Sequence, residues 1–142
     1  MKSSQIALII SDNSNLTGEL KRLLKELEVN QIYVAKSSKD AISKFFLHMP
    51  DFTFIDLHSE TIRTHALAKV IERSGADKLT LISKSMSMVE ELYTESECVF
   101  VIKKPITITK LNDIVNPHLS FANLLEEAKM LVSQENDSQE WQ

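Results

Sequence analysis

The chain has 142 residues, 43% of them hydrophobic and 25% charged, with a formal net charge of −4: enough apolar material for one domain and an extension, too little for two full domains. That charge argues against a dedicated nucleic-acid surface, and no run approaches the roughly 20 apolar residues of a membrane span. Cys98 is the only cysteine, which excludes an intramolecular disulfide and a multi-thiolate zinc site; a buried structural thiol is expected.

The first apolar run, Gln5 to Ile10, ends on Ser11-Asp12. It is shorter than a secretory h-region, so a cytoplasmic location is expected. Asn13-Ser14-Asn15 offers cap residues for a first helix, in which Leu16, Leu20, Leu23, Leu24 and Leu27 recur at helical spacing opposite Lys21, Arg22, Lys25 and Glu26. Gln31 to Ala35 predicts a short second strand. Ser37-Ser38 then caps a second helix with Ala41, Ile42 and Phe45 inward, closed by Met49-Pro50.

Phe52-Thr53-Phe54-Ile55-Asp56 reads as a strand buried on both faces that ends on one carboxylate. Ile62, Ala66, Leu67, Val70 and Ile71 mark a third helix, ended by Ser74-Gly75. Leu79 to Ile82 is a fourth strand running into Ser83-Lys84, and Val99 to Ile102 a fifth running into Lys103-Lys104-Pro105. Between them Met86, Val89 and Leu92 suggest a fourth helix, and Leu111, Ile114 and Val115 start a fifth. Pro117 closes the first unit, residues 1–116. In the extension, 117–142, the positions Leu119, Ala122, Leu125, Ala128 and Val132 keep helical spacing, widened by Leu124 and Leu131, and Ser133 to Gln142 reads as a solvated polar end. The extension is a dimerisation helix, a linker to an output domain, or a segment packed back on its own domain.

Strand and helix alternate five times, which implies an α/β fold: parallel strands joined by right-handed crossovers, with helices on both faces of a doubly wound sheet. Ligands of such sheets bind outside the carboxyl ends of the strands, where Asp12, Asp56, Ser83 and Lys104 all fall. Two carboxylates suit a hard divalent cation such as magnesium. A carboxylate at a strand end can also accept a phosphoryl group if a fixed ammonium, here Lys104, offsets the oxygen charge and a hydroxyl, here Ser83, donates to it. The bland alternative is a structural Asp56–Lys104 salt bridge, with Asp12 capping the first helix. Gly18 and Gly75 are the only glycines, so no glycine-rich phosphate loop exists, and no serine elbow is recognisable. Enzymatic turnover is not expected beyond transfer of a phosphoryl group to the chain's own aspartate and its hydrolysis. The histidines, His48, His58, His65 and His118, show no metal-ligand spacing and read as surface or helix-packing residues.

These positions resemble the receiver domain of bacterial two-component response regulators over about residues 5 to 116. The resemblance implies a five-stranded flavodoxin-like sheet of order 2-1-3-4-5. It implies Asp56 as phospho-acceptor, Asp12, Asp56 and the carbonyl of His58 as magnesium ligands, Ser83 as switch hydroxyl, and Lys104 as phosphoryl partner before a cis bond to Pro105. A histidine kinase or phosphotransfer protein would be the donor. The message would leave through the fourth helix, fifth strand and fifth helix towards a downstream protein, with a homodimer as a further partner. The sequence departs from the pattern at Ser11, where receivers carry a second acid, which weakens magnesium binding. It departs at Lys84, in place of a small residue, which either occludes Asp56 or partly replaces the metal. It departs at Val101, in place of the usual strand-five aromatic, with Phe100 facing the other way. It departs also in the loop Leu57 to Thr64, which lacks the usual Met-Pro and glycine. Ser11, Lys84 and Val101 favour the alternative of a phosphorylation-independent interaction or dimerisation module.

Overall fold

Five strands, β1 (Ile6–Ile10), β2 (Gln31–Ala35), β3 (Phe52–Asp56), β4 (Leu79–Ser83) and β5 (Val99–Lys103), pair in parallel in the order β2-β1-β3-β4-β5. This is the order the resemblance implies. The structure, a computed structural model, describes residues 5–85, 99–117 and 121–140. The described helices are α1 (Ser14–Glu26), α2 (Ser38–His48), α3 (Thr64–Arg73), α4 (Ile108–Val115) and α5 (Phe121–Glu140). The expected helix at Met86 to Leu92, together with Cys98, His118 and Leu119, lies outside the described residues.

Because helices cover both faces, the strands carry near-continuous apolar runs, and successive side chains feed two separate cores. On one face Ala7, Ile9, Phe52 and Phe54 meet Leu20 and Leu24 of α1 and Leu111 and Ile114 of α4. On the other Leu8, Ile10, Ile55 and Leu81 meet Ala41 and Phe45 of α2 and Leu67 and Ile71 of α3. Phe100 packs towards the first core and Val101 towards the second, the opposed orientation expected for this pair. Every residue of β3 and β4 is buried, so their ends are held rigidly.

Local signals set the entry to each helix. The Asn13 side chain accepts the amides of Asn15 and Leu16 at the start of α1, and Ser37 and Thr107 cap α2 and α4 through the amides of Asp40 and Lys110. Each such cap satisfies amides that have no partner inside the helix. Helix α2 ends on Met49, which takes a left-handed φ of 46° before Pro50.

Three expectations are corrected. The inner face of α2 is Ala41 and Phe45, with Ile42 at the rim and 37% exposed. The buried stripe of α3 is Leu67, Ala68 and Ile71, so Ala66 and Val70 turn outward; a helix with apolar residues on more than one side leaves the choice of face to what it packs against. The polar stretch from Ser133 is helical as far as Glu140; it contains no glycine or proline to stop the helix. The residues 124–134 of α5 are exposed, including Leu124, Leu125, Leu131 and Val132, so this part of the stripe is not covered by its own domain.

Thr80, wholly buried in β4, has a hydroxyl without a hydrogen-bond partner among the described residues. Thr80→Val keeps the shape and removes the desolvated hydroxyl, so the urea midpoint should rise by an amount equivalent to about 1 kcal/mol. A fall would show that the hydroxyl has a partner.

Candidate functional site

Parallel pairing places the ends of β1, β3, β4 and β5 along one rim of the sheet, and the polar residue that stops each strand emerges there. Asp56, the last residue of β3, is 2% exposed. Its Oδ1 accepts the His58 amide at 3.1 Å and lies 3.3 Å from Lys104 Nζ, carried by the segment after β5. Its Oδ2 accepts the Ser11 hydroxyl at 2.9 Å. The Lys104 amide donates to the Ser83 carbonyl at 2.9 Å, extending the β4–β5 pairing to the lysine, and the Lys104–Pro105 bond is cis. A carboxylate this buried persists as an ion only when paired and hydrogen-bonded, and three separate elements supply its donors.

Asp12 lies at the same rim but is used differently. Its Oδ2 accepts the amides of Glu60 and Thr61, at 2.8 and 3.0 Å, and the Thr61 hydroxyl at 3.0 Å. The Thr61 amide foremost holds its carboxyl below the usual carboxylate range. Asp12 thereby ties β1 to the loop after β3, and the cap of α1 is Asn13 instead.

Oxygen donors suit a hard cation, but Asp12 Oδ2 is saturated by three protein donors, and both oxygens of Asp56 already accept from Ser11, His58 and Lys104. Among the described residues no group of three His, Cys, Asp or Glu side chains is placed to hold a metal ion. As arranged, a cation would have to compete with Lys104, His58 N–H and Ser11 for Asp56 and would find only Oδ1 of Asp12 outside these bonds, a poor fit for an octahedral ion.

Ser83 ends β4 and Lys84 follows it. The Ser83 hydroxyl, fully buried, donates to the Ser85 carbonyl at 3.0 Å and accepts the Ser85 amide at 3.2 Å. It is therefore engaged with its own loop and, among the described residues, does not bond to Asp56. Lys84 lines the cleft, an open space of about 480 Å³ shared with Asp12, Asn13, Asp56, His58, Glu60 and Lys104.

The ring of His58 is what sequence reasoning missed, since only its carbonyl was expected at the site. Its Nε2 accepts the Lys84 amide at 2.9 Å and sits 3.5 Å from Ser83 Oγ, joining the loop after β3 to the loop after β4. No spacing rule reveals a ring whose partner is a backbone amide 26 residues away; its position two residues after Asp56 was the only signal. Partial burial first, then Lys104 and Lys84, lower the His58 pKa below its ordinary 6.5, against the opposing pull of Asp56. Protonation removes the lone pair that accepts Lys84 N–H. Because the folded pKa is the lower one, the unfolded chain takes up the proton first, and this contribution to stability is lost as pH falls below 6.5. The Lys84 amide resonance should therefore titrate with a midpoint below 6.5; a midpoint above it would contradict the bond. Of the other histidines, His48 stacks on Tyr33 with ring centroids 3.7 Å apart, a packing role as expected.

No protein-family model and no curated protein sequence matches the chain. Solved structures do. The chain is similar to the Vibrio cholerae chemotaxis protein CheY4, with a TM-score of 0.71 and 12% identity over 82% of this chain and 100% of that one. It is similar to a CheY-like response regulator receiver domain from Methylobacillus flagellatus, with a TM-score of 0.67 and 27% identity over 81% of this chain and 98% of that one. A two-component response regulator from Clostridium difficile gives 0.69 and 20%, over 82% and 100%. No helix among the described residues is long and apolar enough to cross a membrane.

Proposed function

We propose that this chain, which has the fold of response-regulator receiver domains, is a signalling switch that accepts a phosphoryl group on Asp56 from a phosphohistidine of a histidine kinase or phosphotransfer protein. The observation that carries the reading is the ammonium of Lys104, 3.3 Å from the Asp56 carboxylate, at the wall of an open cleft at the sheet's carboxyl edge. A carboxylate oxygen of Asp56 forms a new O–P bond as the donor's N–P bond breaks. The leaving imidazole keeps the bonding pair and takes a proton from solvent. Lys104 offsets charge on the phosphoryl oxygens. Ser83 then leaves Ser85 to donate to the new phosphoryl group, and the loop after β4 moves with it. The message passes to a downstream protein through β5, α4 and the segment between β4 and β5.

A second reading, a phosphorylation-independent interaction module, draws on specific surfaces. Phe46, Leu47 and Met49 are exposed beside a groove of about 320 Å³ at the end of α2, and the apolar positions of α5 between 124 and 132 are uncovered. Intact-mass measurement after incubation with acetyl phosphate or phosphoramidate separates the two. A single phosphate adduct that maps to Asp56 supports the switch. No adduct at saturating donor, with or without magnesium, removes it.

A further inference from the structure

We infer that the Asp56 centre works without a divalent cation: Ser11, the loop at Glu60-Thr61 and two lysines occupy the roles a metal would otherwise fill. The part of this concerning phosphoryl transfer rests on the reading of Asp56 as acceptor; the part concerning cation binding does not.

Ser11 stands where the resemblance places an acid. Its hydroxyl donates to Asp56 Oδ2 at 2.9 Å and accepts the Asn13 amide at 3.0 Å, so the group is oriented from both sides and wholly buried. The positive end of that O–H dipole sits at the carboxylate oxygen that a cation would otherwise claim. Asp12 is withdrawn by a different route. Three donors at 2.8 to 3.0 Å saturate its Oδ2, and turning the side chain towards a cation would strip acceptors from the amides of Glu60 and Thr61. Its own amide is in turn fixed by Ser59 Oγ at 3.2 Å.

Charge points the same way. Lys84 and Lys104 line the cleft with Asp12, Asp56 and Glu60, so two lysines offset two of its three carboxylates and leave a dication an excess of only one negative charge. A phosphoryl group arriving at Asp56 adds negative charge that the two lysines are placed to offset. Lys84 supplies the second positive charge, and the Ser11 hydroxyl keeps the non-reacting oxygen oriented.

The full chain, labelled with ¹⁵N and titrated with magnesium chloride alone against a sodium chloride control of matched ionic strength, tests the cation half. The amides of residues 11–13 and 56–60 should show no saturable shift at concentrations up to tens of millimolar, and Ser11→Asp should gain one. A saturable shift in the wild type that Asp12→Asn abolishes would overturn the inference. If Ser11→Asp does not fold, as judged by circular dichroism, the wild-type titration decides alone. For the second half, the adduct from acetyl phosphate should form at the same rate in chelator as in magnesium, and about tenfold more slowly in Lys84→Ala. Loss of the adduct in chelator alone overturns the inference. Absence of any adduct in both conditions counts against Asp56 as acceptor and leaves the titration result standing.

Discussion

Asp56→Asn is expected to abolish the phosphate adduct and, in the same protein, to raise the unfolding free energy by about 1 kcal/mol. Burying a carboxylate costs several kcal/mol of hydration, and even a good ion pair often only offsets that. An asparagine amide is nearly the same shape. Its oxygen can take the His58 amide, and its NH₂ can donate to the second lone pair of Ser11 Oγ, which already accepts the Asn13 amide. Lys104 is 20% exposed and can turn its ammonium to water. Urea unfolding with an unchanged slope checks the sign. A loss greater than about 1 kcal/mol would mean that the pair stabilises the fold, which is the structural salt-bridge reading of the same two residues.

Lys104→Met acts in the opposite direction and is the larger change. It keeps most of the aliphatic stem and removes the one cation among the described residues at ion-pair distance from a carboxylate that is 2% exposed. Breaking such a pair from the cation side leaves an uncompensated buried charge, so a loss of about 3 kcal/mol is expected. Ser11 and the His58 amide still donate to the carboxylate, which keeps the loss at the low end of the range. The adduct should form roughly a hundredfold more slowly, the scale of losing one charge-stabilising donor in a transition state. Combining Lys104→Met with Asp56→Asn should restore most of the stability but none of the reactivity, because the two changes couple through one contact. If the double variant shows only the sum of the two single effects, Lys104 stabilises the fold through something other than Asp56.

The architecture was legible because it depends on periodicity, which is a property of neighbouring residues. Five apolar runs separated by helical stripes imply parallel strands and crossovers, and the branched and aromatic run ending at Asp56 identifies a strand buried on both faces. Positions at strand ends were legible for the same reason, since the topology delivers Asp12, Asp56, Ser83 and Lys104 to one rim whatever their side chains do. What those side chains bond to was not legible. Asp12 reads equally well as a cation ligand or a helix cap, and it turns out to receive two amides of a loop 48 and 49 residues away. Ser83 reads as a hydroxyl facing Asp56, yet it is held by Ser85.

The one-dimensional pattern of apolar, capping and breaking residues therefore determined the elements, their order and the rim at which the polar residues emerge, because those follow from local backbone preference and from burying two faces of one sheet. Only the tertiary structure decided that Ser11 donates to Asp56, that Asp12 is spent on a loop, that His58 links Lys84 to the acceptor segment, and that α2 and α3 keep Ile42 and Val70 outside. Those outcomes turn on distances of about 3 Å between groups far apart in the chain. Packing of the whole sheet sets such distances; spacing along the sequence does not.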